Sequence, residues 1–150
     1  DVNREGSSDM YSKGANLLHT IRQIANNDEK WRKTLRGLNK TFYHKTVTTA
    51  EIENYISQSL NIDLSSVFDQ YLRDIRIPVL EYEIKDGFLK YRWNNTIENF
   101  KMPVKIIINE NLVEINPTKK FEKIAFSSNE LIIDKNYYVF SKNLAVKDWI

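Results

Sequence analysis

The spacing of apolar residues changes near Pro78. Up to that point they recur every three or four positions, the signature of amphipathic helices. Beyond it, short alternating runs are separated by turn residues. The spacing predicts a first helix from Asp9 to Ala25, with Gly14, Leu17, Leu18, Ile21, Ile24 and Ala25 on one face. Residues 1–8 are polar and read as a lead-in. Asn26 and Glu29 have the spacing of a capping box for a second helix, whose stripe is Trp31, Leu35, Leu38 and Phe42. Gly37 inside that helix costs about 1 kcal/mol relative to Ala, which points to close packing there. Thr48 and Glu51 form a second capping box, opening a helix with Ile52, Tyr55, Ile56 and Leu60. Asp63 is the expected N-cap of a fourth helix carrying Leu64, Val67, Phe68, Tyr71 and Leu72. Four short amphipathic helices suggest two antiparallel pairs.

Ile77-Pro78 ends this part, because the residue before proline is driven out of the helical region. Strands are expected at 79–84, 88–93, 104–108, 112–115, 121–126, 131–133 and 137–140. Asp86-Gly87 is a hairpin turn signal, and Asn94-Asn95 and Asn109-Glu110-Asn111 supply further turns. The fold class is therefore α+β. A helical subdomain at 1–77 is followed by a seven-stranded antiparallel β-sandwich at 78–150.

The chain has 150 residues, 41% of them hydrophobic, enough for a packed core. No stretch is long and apolar enough to span a membrane. The first residue is Asp, which suggests a processed or excised chain and leaves the compartment open; an exported or periplasmic parent fits as well as any other. Basic and acidic side chains are matched in both halves and the net charge is +2, so no element stands out as a nucleic-acid binder. There is no Cys, hence no disulfide framework, thiolate metal site or Cys nucleophile. The chain has no H-E-x-x-H, Gly-rich phosphate loop or nucleophile elbow. His19 and His44 have no His or Cys neighbours and read as structural or solvated. Glu51 and Glu53 point to different faces of a helix, and Glu81 and Glu83 share the expected wet face of a strand. None of these makes an acid–base pair. Tyr91, Trp93, Tyr137 and Tyr138 can be core residues or, on an exposed face, a stacking platform for sugars.

Tyr11-Ser12-Lys13-Gly14 at the start of the first helix is open to two readings. The plainer one is an aromatic packed on the bundle, a surface lysine and a glycine that permits close helix contact. The second comes from a resemblance. Residues 9–18 resemble the Tyr-x-Lys-Gly helix of the aminopeptidase N family of zinc metallopeptidases, the gluzincins. Thr46-Val47-Thr48-Thr49-Ala50-Glu51 resembles a threonine-rich cap in that family. Residues 63–72 resemble its Asp-Leu-Ser…Phe-x-Gln-Trp-Leu segment, with Tyr71 where Trp is commoner. Ile77-Pro78-Val79-Leu80-Glu81-Tyr82 resembles the start of its sandwich domain. The similarity covers about residues 7–82 well, and the remainder only by order of elements.

The resemblance implies that 1–77 is the helical end of a thermolysin-like catalytic domain and 78–150 an Ig-like β-sandwich. It also implies that Tyr11 is the catalytic tyrosine. A phenol can donate a hydrogen bond to the oxyanion that grows as a peptide carbonyl is attacked, a contribution of ~3–4 kcal/mol. Lys13 and Gly14 take helix-start and packing roles. The family's H-E-x-x-H helix and third zinc ligand lie upstream of this motif, and only ten residues precede Tyr11. The expectation is thus the C-terminal portion of a zinc aminopeptidase, inactive alone and with no cofactor of its own. Zinc, peptide substrate and an upstream zinc-bearing half belong to the parent protein. The alternative is a non-catalytic carbohydrate- or protein-binding module built on the sandwich.

Overall fold

The computed structural model describes residues 8–108 and 110–146. Four helices come first: α1 (Asp9–Ala25), α2 (Asp28–Phe42), α3 (Thr49–Leu60) and α4 (Ser65–Arg73). Seven strands follow: β1 (Val79–Lys85), β2 (Phe88–Asn94), β3 (Val104–Ile108), β4 (Asn111–Ile115), β5 (Glu122–Ala125), β6 (Ile132–Ile133) and β7 (Phe140–Asn143). The fold is α+β, as the change of period at Pro78 predicts. The polar lead-in falls mostly on residues 1–7, outside the described residues. So does Asn109 of the third expected turn.

The helix ends follow from their caps. Helix α1 closes on Asn26, which is left-handed at φ 46° and returns its N–H to the carbonyls of Arg22 and Gln23. That role removes Asn26 from the capping box assigned to it. The cap of α2 is Asn27, whose side chain accepts from the Lys30 N–H at 2.8 Å. Thr48 and Glu51 make the expected reciprocal box at the start of α3. Asp63 receives the Ser65 N–H at 3.0 Å and the Ser65 hydroxyl at 2.6 Å, but it sits one residue ahead of the N-cap position, which Leu64 occupies. After α2 the chain turns through Tyr43 and His44, with the Lys45 N–H bonded to the Phe42 carbonyl at 3.0 Å. His44 takes the left-handed position of this turn at φ 52°.

The helical core contains Leu17, Ile21, Ile24, Trp31, Ile56, Leu60, Leu64, Val67, Phe68 and Tyr71, all buried. Leu18 and Leu72 do not join it. Each lies at the margin of its stripe and stays exposed, at 42% and 49%. Gly37 meets the close approach its position predicts, since a Cβ there would overlap the Tyr55 hydroxyl. Gly14 does not: a Cβ at that position would touch nothing within 4 Å.

The strands form two sheets, one ordered β5-β2-β1-β7 and the other β4-β3-β6. The β1–β2 hairpin turns through Asp86 at φ 51° and Gly87 at φ 76°, the double left-handed geometry of a type I′ turn. Its register pairs Leu80 with Trp93, Tyr82 with Tyr91 and Ile84 with Leu89, which puts the apolar set on one face. Leu80, Leu89, Tyr91 and Trp93 pack there with Met102, Val104, Ile106 and Ile115 of the second sheet and its approach. Every pairing is antiparallel except β1 with β7, which run parallel. A crossover through the other sheet separates them, and only such a long connection lets two strands pair in parallel. The last strand also starts later than its apolar run suggests. Residues 137–139 are held in a bend, with the Tyr137 N–H on the Asp134 carbonyl and the Tyr138 N–H on the Thr20 hydroxyl, so pairing begins at Phe140.

Buried polar groups fasten the helices to the sheets. The amide of Gln70, fully buried, donates to the Arg76 carbonyl at 2.8 Å and accepts from the Ile97 N–H at 2.7 Å. Tyr71 donates its hydroxyl to the Tyr138 carbonyl at 2.6 Å, and the two rings stack 5.8 Å apart. Ser66 bridges both backbone groups of Lys101 at 3.1 Å.

Candidate functional site

Helix α1 presents Tyr11 in its first turn, held by a backbone bond from the Tyr11 N–H to the Ser8 carbonyl. The ring is 70% exposed, so its phenol is available to a molecule outside this chain. It does not pack on the bundle, which is what the plainer sequence reading required.

Lys13 lies two residues on, about 200° around the helix, and is half-buried. Its ammonium group donates to the Asp74 carbonyl at 3.0 Å. That bond links the start of α1 to the end of α4, while the buried face of Leu17, Thr20, Ile21 and Ile24 packs inward. Asp74 is itself rigidly held. Its carboxylate accepts from the Arg76 N–H at 2.8 Å and from the guanidinium at 2.9 and 2.7 Å. The Arg76 bonds lower the Asp74 pKa to about 2. Ile75, between these two residues, is 93% exposed. Lys13 is thus a tether rather than the surface charge of the plainer reading, and a Cβ at Gly14 would meet nothing within 4 Å among the described residues.

The described residues do not fit a zinc ion. No group of three or more His, Asp or Glu among them could hold a metal. His19 bonds the Asn136 side chain at 2.9 Å, and the His44 ring meets the Tyr43 ring edge-on at 4.1 Å. Each is accounted for by a local contact.

Glu81 corrects the sequence reading. It shares the outer face of the sheet with Glu83, yet it is only 7% exposed. Arg92 at 2.8 and 2.7 Å and Asn94 at 2.7 Å close over its carboxylate, and Arg92 in turn lies on the Phe121 ring. A buried carboxylate with three donors is a structural ion pair rather than a free acid. The strand aromatics are settled as well. Tyr91, Trp93 and Tyr137 are buried and Tyr138 half-buried, so they form no stacking platform.

Sequence reasoning also missed a concentration of charge. Matched totals in the two halves hide a stretch from Lys30 to Ala50 with six basic residues and no acidic one. A window of about 20 residues would have found it.

No protein-family model matches the chain, and no curated protein does either. Among solved structures, the chain is similar to the aminopeptidase A of Legionella pneumophila, solved in complex with aspartic acid. The TM-score is 0.67 with 17% sequence identity, over 87% of this chain and 17% of that one. The likeness is one of fold, and the chain spans about a sixth of that protein's length.

Proposed function

We propose that this chain is the C-terminal portion of a zinc-dependent aminopeptidase of the aminopeptidase N family. Residues 1–77 form the helical end of its thermolysin-like catalytic domain, and residues 78–150 an Ig-like β-sandwich that braces it. Tyr11 is the catalytic tyrosine and donates its phenolic hydrogen to the oxyanion of the peptide under attack. Lys13, through the Asp74 carbonyl, keeps the Tyr11 helix in register. The zinc ligands belong to another segment of the parent protein, and the peptide substrate binds between that segment and the Tyr11 end of α1.

The observation that carries this reading is the placement of Tyr11. An exposed phenol stands on the first turn of a tethered helix, in a fold that also occurs within an aminopeptidase. The four ordered sequence resemblances support it independently. Burial of Tyr91, Trp93 and Tyr137 speaks against the binding-module alternative.

The 150-residue chain, purified and incubated with zinc, is expected to retain no stoichiometric metal and to hydrolyse no aminoacyl p-nitroanilide. Mixing it with the zinc-bearing remainder of the parent should restore hydrolysis. Activity or tight zinc in the chain alone would overturn the assignment.

A further inference from the structure

Helix α2 carries Arg32, Lys33, Arg36 and Lys40 within an arc of about 100°, all exposed and opposite its buried face of Trp31 and Thr34. Glu29 is the one acidic side chain in that arc, at its N-terminal end. Lys45 continues the positive charge past the helix end, followed by exposed Val47; Tyr43 there is 73% exposed. Lys33, Arg36, Lys40 and Lys45 form no ion pair among the described residues. Arg32 makes one long bond, 3.3 Å, to the Asp28 carbonyl. A surface groove of about 500 Å³ lies along Glu29, Arg32, Lys33 and Arg36. A second, of about 350 Å³, borders Lys33 on the side of Tyr55 and Ser59.

The rest of the molecule has the opposite sign. Residues 30–50 hold six basic and no acidic side chains, whereas the remaining 129 residues hold 16 basic and 20 acidic, a net −4. We propose that the α2 face docks on an anionic phospholipid surface. A planar anionic surface engages this one face and leaves the negative remainder pointing away. Tyr43 and Val47 then reach the headgroup layer at the helix end, where an amphipathic ring is at home. A nucleic acid fits less well. Of the rings next to the stripe only Tyr43 is exposed; Phe42 and Tyr55 are half-buried and engaged edge-to-face with each other at 5.6 Å, so no row of rings is offered to successive bases. This inference does not depend on Tyr11.

The test is co-sedimentation of the full chain with vesicles at low salt. One set is phosphatidylcholine alone, and the other is three parts phosphatidylcholine to one part phosphatidylglycerol. Binding is expected only to the anionic set, and should be lost as ionic strength rises toward 0.5 M, roughly, where exposed charges are screened. The triple variant Lys33→Gln, Arg36→Gln, Lys40→Gln removes cations that make no ion pair among the described residues, and circular dichroism will show whether it is folded. It should bind the anionic vesicles at least about tenfold more weakly. A control variant, Lys85→Gln with Lys135→Gln, removes two exposed cations elsewhere and should bind as the parent sequence does. Equal binding to both vesicle sets, no binding to the anionic set, or a triple variant that binds normally would overturn the proposal. So would tighter binding to duplex DNA than to the anionic vesicles.

Discussion

Replacing Tyr71 by Phe tests how the helices and strands are joined. The ring is 1% exposed and remains in place in the variant, so its buried apolar area is unchanged. What disappears is the 2.6 Å hydrogen bond to the Tyr138 carbonyl, which lies 67 residues away in the sheet region. The carbonyl loses its partner in a half-buried setting, which costs about 1–2 kcal/mol. Tyr71→Ala also removes the ring and should cost about 3–5 kcal/mol. Urea unfolding can be followed at Trp31 in the helices and Trp93 in the sheet, and both probes should shift together if the two parts unfold as one. Alkaline pH gives an independent check. Burial pushes the Tyr71 ionisation well above its ordinary value, so the folded state favours the neutral phenol. That contribution is complete below about pH 10, where an unfolded tyrosine ionises, and is lost as pH rises beyond it. The stability gap between the native chain and Tyr71→Phe should therefore narrow above pH 10. A Tyr71→Phe variant within about 0.3 kcal/mol of the native chain, or one as damaged as Tyr71→Ala, would refute the reasoning.

Three further outcomes follow from local geometry. Gly14→Ala should stabilise the chain by about 0.5–1 kcal/mol in thermal melts, because a helix interior gains from Ala and the added Cβ meets nothing; destabilisation would mean that Gly14 is packed after all. Thr48→Ala removes the hydroxyl that accepts from the Glu51 N–H and donates to the Glu51 carboxylate, while the bond from the Thr48 backbone N–H to that carboxylate remains, and should cost about 1 kcal/mol in urea. The Arg76 bonds hold the Asp74 pKa at about 2 against an ordinary 3.8, so their contribution is present above about pH 4 and is lost as pH falls through 2. The stability of Asp74→Asn, measured against the native chain, should differ at pH 6 and converge near pH 2.

The helical part was legible because its signals are local. A 3.6-residue period and its break at Asn26 mark α1 from Asp9 to Ala25, and Thr48 with Glu51 marks the start of α3. Asn26 and Asn27 are adjacent and chemically alike, so spacing could not say which closes α1 and which opens α2. In the β part, the Asp86-Gly87 turn fixed one hairpin, but pairing partners are set by tertiary packing. The parallel β1–β7 pair and the bend at 137–139 depend on Thr20 and Asp134, which alternation does not reveal. Alternation puts Glu81 on its correct face but does not reveal its burial, because its covering groups, Arg92 and Asn94, come from the next strand. At the candidate site, Tyr11 stood out by motif alone. The Lys13–Asp74 tether spans 61 residues and ends on a backbone carbonyl, which no side-chain pattern encodes.

The most direct test of the role proposed for Tyr11 is turnover by the parent protein carrying Tyr11→Phe. The substitution leaves an exposed ring in place and removes one hydroxyl. If Tyr11 steadies the oxyanion, kcat on an aminoacyl p-nitroanilide falls by about a hundredfold to a thousandfold, while KM and bound zinc stay as they were. An unchanged kcat would remove Tyr11 from the reaction.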